Sequence, residues 1–356
     1  MKKRVTLKAV ICITAIVTVM VIAATWALSV HIYNENFDRR FETYEPMAFK
    51  VEEFDGLERT RYEFTSDKGQ KLVGYLYSSG SDQHGIVVMA HGFGGGGHNS
   101  YIDVADRFAR SGYYAFAYDA TGNDESEGNV GGLCQGVIDL DHAITFVENE
   151  ESIPDMPIVV FGHSWGGYCA GAVLKYHPEV KAVIECSGFN ASSDMFEIEG
   201  KRQAGNAIYA MLPFVELHDR IKFGSYSDDT AVDGAASSDA AVMVVHSSDD
   251  KVVPPEYGYD LYYDRFKDDP RFTFVRLEDK GHNYVYDDLT YPNEFNIEYD
   301  EWKNSLGYDI TAPENSERFS SDKDEYMRTH LDREKWTHML DEDLFDRFVA
   351  FYDEHI

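Results

Sequence analysis

The sequence predicts an α/β fold built on an eight-stranded, mostly parallel sheet with helices on both faces. Two observations lead to this prediction. Six short apolar runs are continuous rather than alternating, which is typical of strands that are buried on both faces of a parallel sheet. Helix-length segments separate these runs, and parallel strands need such crossover connections.

The elements follow in a clear order along the chain. Residues 60–79 alternate in side-chain character on both sides of a turn at Asp67-Lys68-Gly69, which predicts a hairpin of two antiparallel strands. The apolar runs predicted as the six later strands are residues 85–90, 113–119, 157–162, 181–187, 241–247 and 272–278. Crossover helices are predicted near residues 100–111, 133–148, 165–177 and 256–267.

A membrane anchor is predicted over residues 1–31. Four basic residues among the first eight precede an uncharged stretch over residues 9–30, which as a helix would be about 33 Å long. That length crosses a hydrocarbon core of about 30 Å, and the basic flank is expected to stay in the cytoplasm with the rest of the chain outside. The alternatives are a signal peptide cleaved after Ala27 or Ser29, which would give a secreted protein, and a buried core helix.

Two segments interrupt the alternation of strands and helices. Residues 32–58 are polar, acidic and aromatic without a clear period, and they are predicted to form a stalk that leads to a folded domain over residues 59–356. Residues 187–240 are too long for a simple crossover. They are predicted to form a lid insertion that contains a helix over residues 204–221.

A second excursion covers residues 285–336 and is rich in Asp, Glu and Tyr. A surface loop is the expected structure, since the segment lacks the regular Asp spacing of a calcium-binding EF-hand loop. An amphipathic helix near residues 338–355 is predicted to close the domain.

Composition restricts the class of protein. The chain has 63 acidic and 32 basic residues and a net charge of -31, which repels nucleic acid phosphates and excludes a nucleic acid partner. Hydrophobic residues make up 44% of the chain, enough for a packed core. Four cysteines are too few for a disulfide scaffold.

The motif that points most directly to chemistry is Gly-His-Ser-Trp-Gly over residues 162–166. It follows a predicted buried strand and precedes a predicted helix. The glycines at both ends leave room for a sharp turn that exposes the hydroxyl of Ser164, and the helix N-terminus adds a positive dipole next to it.

With this motif the chain resembles the α/β-hydrolase fold family, over roughly residues 59–285 and the last helix. The resemblance implies that Ser164 is the nucleophile, that Asp250 is the acid of a catalytic triad and that His282 is its base. Serine, aspartate and histidine occur in the chain order of this family. Asp249, the neighbouring carboxylate, remains an alternative to Asp250.

Residues 91–94, His-Gly-Phe-Gly, resemble the family's loop after the third strand. This resemblance implies an oxyanion hole formed by the backbone N–H groups of Phe93 and Trp165, which would stabilise the alkoxide formed in acyl transfer. A phosphate-binding loop is the rival interpretation, but no Gly-Lys-Ser/Thr follows. No cofactor and no metal are expected, because His98 and His163 have no carboxylate or cysteine partners at ligand spacing.

The sequence therefore predicts a membrane-anchored serine hydrolase that cleaves a small-molecule ester through an acyl-enzyme intermediate. A serine aminopeptidase acting on short peptides is an alternative, in which Glu197 or Glu199 of the lid would bind the substrate ammonium. A non-catalytic surface binding module on the same fold is a third hypothesis. Thr121 and Asp124 depart from the family pattern at the site entrance and leave the substrate preference open.

Overall fold

A single sheet organises the computed structural model, which describes residues 7–80 and 82–356. The strands are β1 (Glu58–Thr65), β2 (Lys71–Ser78), β3 (Gly85–Ala90), β4 (Tyr113–Asp119), β5 (Ile158–His163), β6 (Ala182–Cys186), β7 (Ala241–Ser247) and β8 (Phe272–Leu277). Their order is β1-β2-β4-β3-β5-β6-β7-β8. β2 pairs antiparallel with β1 and β4, and every later pair is parallel. The eight predicted strands are confirmed.

Helices cover both faces of the sheet, as predicted. They are α1 (Leu7–Phe37), α2 (Ile102–Arg110), α3 (Cys134–Asn149), α4 (Trp165–Val173), α5 (Ser192–Ala204), α6 (Leu212–Phe223), α7 (Ala231–Ala236), α8 (Tyr259–Phe266), α9 (Thr290–Ser305), α10 (Ser316–His330), α11 (Arg333–Trp336) and α12 (Glu342–His355). In β5, Ile158 and Val160 join the apolar core under α3 and α4, while Val159 and Phe161 join the core under α2 and α12. This alternation sandwiches the sheet between two apolar layers.

Helix α1 is long and apolar enough to cross a membrane by length and composition. Its most apolar window of 18 residues has a mean hydropathy of 2.5 and no buried residue. The basic residues Lys2, Lys3 and Arg4, on which the predicted orientation depends, lie outside the described residues. The helix continues to Phe37, beyond the predicted end of the anchor at residue 31.

Residues 32–58 do not have the form expected of a stalk, because they pack along the domain. The side chains of Tyr33, Phe49 and Phe54 are each at most 6% exposed. The ring of Phe49 stacks on that of Trp336 with centroids 6.0 Å apart. The aromatic residues of this segment show no period in the sequence because they contact several distant elements instead of one continuous face.

The two insertions also differ from expectation. The predicted helix over residues 204–221 is interrupted: a 3-10 turn covers Gly205–Ala210, and α6 begins after it. Pro213 lies in the first turn of α6, where proline is tolerated. Residues 285–336 form α9, α10 and α11 rather than a surface loop. Their aromatic residues supply the packing, with the rings of Trp302 and Tyr326 stacked 4.4 Å apart.

Candidate active site

Ser164 lies on a sharp turn between β5 and α4, at the carboxyl edge of the sheet. Its backbone is left-handed, with φ of 56°, which is strained for a residue other than glycine. A Cβ on Gly166 would lie 1.9 Å from the Ala90 carbonyl oxygen, and one on Gly162 would lie 2.1 Å from the Gly166 carbonyl oxygen. Both glycines are therefore required by close contact between backbones.

Three side chains that are distant in the sequence meet at this turn. His282 Nε2 lies 2.8 Å from Ser164 Oγ, and His282 Nδ1 lies 2.7 Å from Asp250 Oδ2. An ionised carboxylate only accepts hydrogen bonds. His282 Nδ1 therefore carries the ring proton and donates a hydrogen bond to Asp250. Nε2 is then free to accept the hydroxyl proton of Ser164.

The turn after β7 holds Asp250 in this position. Its Oδ1 accepts hydrogen bonds from the N–H groups of Val252 and Val253, at 2.8 and 2.9 Å. Although burial opposes ionisation, hydrogen bonds from His246 and His282 hold the pKa of Asp250 well below its ordinary value. The carboxylate is therefore charged at neutral pH.

Asp249 has a different set of contacts. Its carboxylate accepts hydrogen bonds from the Ser247 hydroxyl at 2.5 Å and the Gly281 N–H at 3.0 Å. It therefore fixes the loop that carries His282. Of the two candidates, only Asp250 contacts the imidazole.

The backbone N–H groups of Phe93 and Trp165 flank Ser164. Gly92, next to Phe93, passes so close that a Cβ there would lie 3.6 Å from the Cβ of Ser164. Within the described part of the chain, neither N–H has a hydrogen-bond acceptor. The absence of an acceptor is what an oxyanion hole formed by these two N–H groups requires.

Tyr101 connects the loops around the serine, although no motif in the sequence marks it. Its hydroxyl accepts a hydrogen bond from the Gly92 N–H and donates one to His163 Nδ1, both at 2.9 Å. His163 Nε2 in turn donates to the carbonyl oxygen of His282 at 3.1 Å. Burial lowers the pKa of His163 to about 3, so the ring stays neutral and serves as acceptor and donor at once.

Asp124, one of the departures from the family pattern, has a structural role. Its carboxylate accepts hydrogen bonds from the Thr43 N–H at 2.6 Å, the Thr43 hydroxyl at 2.6 Å and the Gly97 N–H at 3.1 Å. It thereby ties the segment after α1 to the glycine-rich loop that contains Phe93. Thr121, the other departure, donates hydrogen bonds from its N–H and hydroxyl to the buried Asp139.

The expectation that His98 lacks a carboxylate partner is wrong. His98 Nδ1 lies 2.7 Å from Asp119 Oδ1, and together with Asp124 the two residues bring potential metal-ligating atoms within 4.8 Å of one another. Asp119 also accepts from the His98 N–H, and Asp124 accepts the three hydrogen bonds described above. The carboxylate oxygens of this cluster thus already accept hydrogen bonds from the protein.

An apolar cavity of about 260 Å³ opens beside Ser164. Most of its larger side chains are apolar or aromatic, and the polar side chains beside them are uncharged or belong to the histidines near the serine: Phe37, Phe93, Tyr101, Leu133, Phe189 and Met195, with His163, His282 and Asn283. Among the described residues, no Asp, Glu, Lys or Arg lines it. The cavity therefore suits an uncharged, apolar group.

The two glutamates considered for an ammonium site do not line this cavity. Glu197 contacts Lys201 Nζ at 2.6 Å, and Glu199 contacts Arg202 Nη1 at 3.1 Å. Both carboxylates already have a cationic partner on α5. The structure gives no support to a substrate ammonium at either position.

Glu185 on β6 makes the stability of the protein dependent on pH. The residue is 1% exposed, its Oε1 accepts a hydrogen bond from the Gly188 N–H at 2.6 Å, and burial raises the pKa of its carboxyl to about 7. Since the ordinary value is 4.5, the folded state binds more protons than the unfolded state between these pH values. This contribution to stability is complete below pH 4.5 and is lost as the pH rises through about 7.

The Glu185→Gln substitution keeps the hydrogen-bond acceptor and removes the titration. We expect it to raise the melting temperature by about 5 °C near pH 8.5 and to change it little near pH 5. Thermal melts followed by circular dichroism at both pH values measure the difference. Equal shifts at the two pH values would contradict the raised pKa.

Comparisons of sequence point to hydrolases. Residues 81–242 match the family model described as Serine aminopeptidase, S33. Over 133 residues the chain is 31% identical to a monoacylglycerol lipase from Mycolicibacterium smegmatis, a match that covers 36% of this chain and 46% of the lipase. The matched region thus spans about half the length of that relative.

Comparisons of structure identify the same architecture in esterases. An esterase from Pyrococcus furiosus superposes with a TM-score of 0.54 at 17% identity, covering 74% of this chain and 96% of the esterase. Carboxyl esterase 2 from Tuber melanosporum gives a TM-score of 0.52 at 13% identity, covering 84% of this chain and 92% of the other. At sequence identities of 17% and 13%, these two comparisons show a shared fold only.

Proposed function

Because this chain has the fold of α/β-hydrolases and matches hydrolases in sequence, we propose that it is a serine hydrolase that cleaves carboxylic esters through an acyl-enzyme intermediate. The main support for this proposal is the geometry of three side chains. Ser164, His282 and Asp250 form an unbroken chain of hydrogen bonds of 2.8 and 2.7 Å, with the serine on a strained turn beside the apolar cavity. This geometry suits nucleophilic catalysis.

The reaction begins when Ser164 Oγ attacks the ester carbonyl carbon and its proton passes to His282 Nε2. Asp250 stabilises the imidazolium, and the N–H groups of Phe93 and Trp165 stabilise the oxyanion. When the tetrahedral intermediate collapses, the ester C–O bond breaks, and the alcohol leaves with the proton from His282. Water then attacks the acyl-serine by the same route and releases the carboxylic acid, so this mechanism needs no cofactor.

The cavity favours an ester over a peptide substrate. An aminopeptidase has to bind a charged ammonium group, and a buried cation needs a paired anion. No acidic residue in the described part of the chain lines the cavity, and Glu197 and Glu199 are already paired. The family model is nevertheless described as a serine aminopeptidase, which makes a peptidase the second candidate.

We also propose that α1 anchors the enzyme in a membrane with the catalytic domain on the outer side. No residue in the apolar window of α1 is buried in the isolated chain, where these exposed apolar side chains would be unstable without a lipid environment. The basic residues that precede it favour a cytoplasmic N-terminus. Secretion after signal cleavage is the alternative.

Labelling with a fluorophosphonate tests the proposed nucleophile. The probe forms a covalent bond only with an activated serine, so the parent protein should be labelled and Ser164→Ala should not. Turnover of simple acyl esters should exceed that of aminoacyl anilides, and the reverse order would favour the peptidase. A folded parent protein that takes up no label would instead favour the non-catalytic module.

A further inference from the structure

Helices α1 and α6 run side by side in the same direction. The ring of His218 packs edge-on against Tyr33 with centroids 5.6 Å apart, and Lys222 Nζ lies 3.0 Å from Asp38 Oδ2. The contacts follow the same order in both helices, so the first turn of α6 points toward the apolar part of α1. Leu212 lies six residues before His218, which at 1.5 Å per residue is about 9 Å.

The same distance along α1, measured back from Tyr33, reaches about residue 27. That level lies within the uncharged stretch over residues 9–30, close to its outer end. The start of α6 and the 3-10 turn before it are therefore at the height of the membrane surface if α1 spans the bilayer.

The segment at this height carries no charge. Residues 203–215 are 13 consecutive uncharged residues in a chain in which 27% of residues are charged. Much of the segment is nevertheless exposed, including Ala207, Ala210 and Pro213, and Tyr209 is 47% exposed. Tyrosine is enriched at the boundary between headgroups and acyl chains, and an uncharged segment can lie there without the cost of desolvating a charge.

The anchor helix also forms part of the catalytic cavity. Phe37, the last residue of α1, lines the cavity beside Ser164, and its ring centroid lies 5.6 Å from that of Phe93. Seven residues separate Phe37 from the end of the uncharged stretch at Val30, which is about 10 Å along the helix. The headgroup layer of a bilayer is about 5 to 8 Å thick, so the cavity lies just above it.

We propose that residues 203–215 are a second membrane-contact surface, which rests on the lipid bilayer beside α1 and holds the catalytic cavity close to the headgroup layer. This proposal rests on the proposed membrane anchoring by α1. Its consequence for the reaction is that an ester dissolved in the same bilayer reaches the cavity by moving a short way outward from the headgroup layer, without diffusing through bulk water. Because the protein carries a net charge of -31, the contact is apolar and does not depend on anionic lipid.

Nitroxide labels in vesicles test the contact without requiring catalysis. The full-length protein with Cys12→Ser is reconstituted in phosphatidylcholine vesicles, since Cys134, Cys169 and Cys186 are buried and Cys12 is exposed. A label at Ala207→Cys should collide with oxygen several-fold more, relative to a water-soluble nickel chelate, than a label at Ile297→Cys. Ile297 is the matched control because it is 62% exposed on α9, away from α1.

A third label, at Met20→Cys, separates the two proposals. If Met20 is lipid-exposed and Ala207 has the accessibility of Ile297, the second contact is refuted and the anchor stands. If Met20 is water-exposed as well, both proposals fail. Lipid exposure at Met20 and Ala207 together supports the contact.

Turnover supplies an independent measurement. The double substitution Ala207→Glu and Ala210→Glu should lower hydrolysis of a long-chain p-nitrophenyl ester in phosphatidylcholine vesicles by about tenfold. Hydrolysis of p-nitrophenyl acetate in solution should be unchanged. The control, Leu261→Glu with Ile297→Glu, adds the same charge at exposed positions and should alter neither rate. Equal losses for both substrates, or the same loss in the control, would overturn the proposal.

Discussion

Replacing Ser164 with alanine is expected to lower kcat/KM for ester hydrolysis by about 10⁴- to 10⁶-fold. The substitution removes the only atom that forms the acyl-enzyme and leaves the oxyanion donors and the cavity in place. Residual hydrolysis above the uncatalysed rate should come from those groups alone. Steady-state kinetics with a soluble p-nitrophenyl ester measure the loss, and a decrease of less than about tenfold would refute the nucleophile.

A second substitution at the same position separates catalysis from stability. Ser164 has φ of 56°, a conformation that glycine adopts with little strain. Ser164→Gly should therefore be inactive but more stable than Ser164→Ala by about 1 kcal/mol. Thermal melts of the two variants provide this comparison, and similar inactivity at different stability would show that the loss of activity does not arise from misfolding. A Ser164→Gly variant less stable than Ser164→Ala would contradict the strain at this turn.

Replacing Asp250 with asparagine is expected to lower kcat by about 10⁴-fold. The amide keeps the size of the side chain, but it is not an anion that accepts the hydrogen bond from His282 Nδ1–H, and it does not stabilise the imidazolium. The imidazole then prefers the tautomer that cannot take the proton of Ser164. The pH dependence of kcat/KM measured alongside should show a weaker base in the variant.

Asp249→Asn is the matched control for this experiment. It has the same chemistry one residue earlier, where the carboxylate contacts Ser247 and the Gly281 N–H and not the imidazole. We expect an effect of less than about tenfold, through small movements of the loop that carries His282. Comparable losses in the two variants would contradict the assignment of Asp250 as the acid of the triad.

Much of the fold and of the candidate site was predictable because its signals are local. Apolar runs such as residues 85–90 are continuous because both faces of the strand are buried. This pattern can be recognised without knowing the order of the strands in the sheet or the structure of the loops between them. The turn around Ser164 has a partly local signal, because Gly162 is required by contact with the carbonyl oxygen of Gly166, four residues later. Gly166 is required by contact with Ala90, which is distant in the sequence. Asp250 and His282 each follow a recognisable strand.

The residues that hold the loops together were not predictable in the same way. Tyr101 lies 62 residues from His163, and nothing near either residue indicates their hydrogen bond. Asp124 contacts Thr43, which lies 81 residues away in a segment without a period. Contacts of this kind depend on how helices, strands and loops meet in space. In the sequence, each of these residues is one polar residue among many and does not indicate its partner.

The sequence by itself determined the eight strands and the glycine-flanked turn at Ser164, because continuous apolar runs and a glycine on each side of the serine are local patterns. The roles of Asp250 and His282 are implied by the resemblance to the α/β-hydrolase fold family. Only the tertiary structure decided that residues 32–58 pack along the domain, that the acidic excursion forms helices and that Phe37 of α1 lines the cavity. Contacts between aromatic side chains hold these segments in place. An aromatic ring gains free energy from whichever distant surface it fits, and a linear pattern does not record that surface.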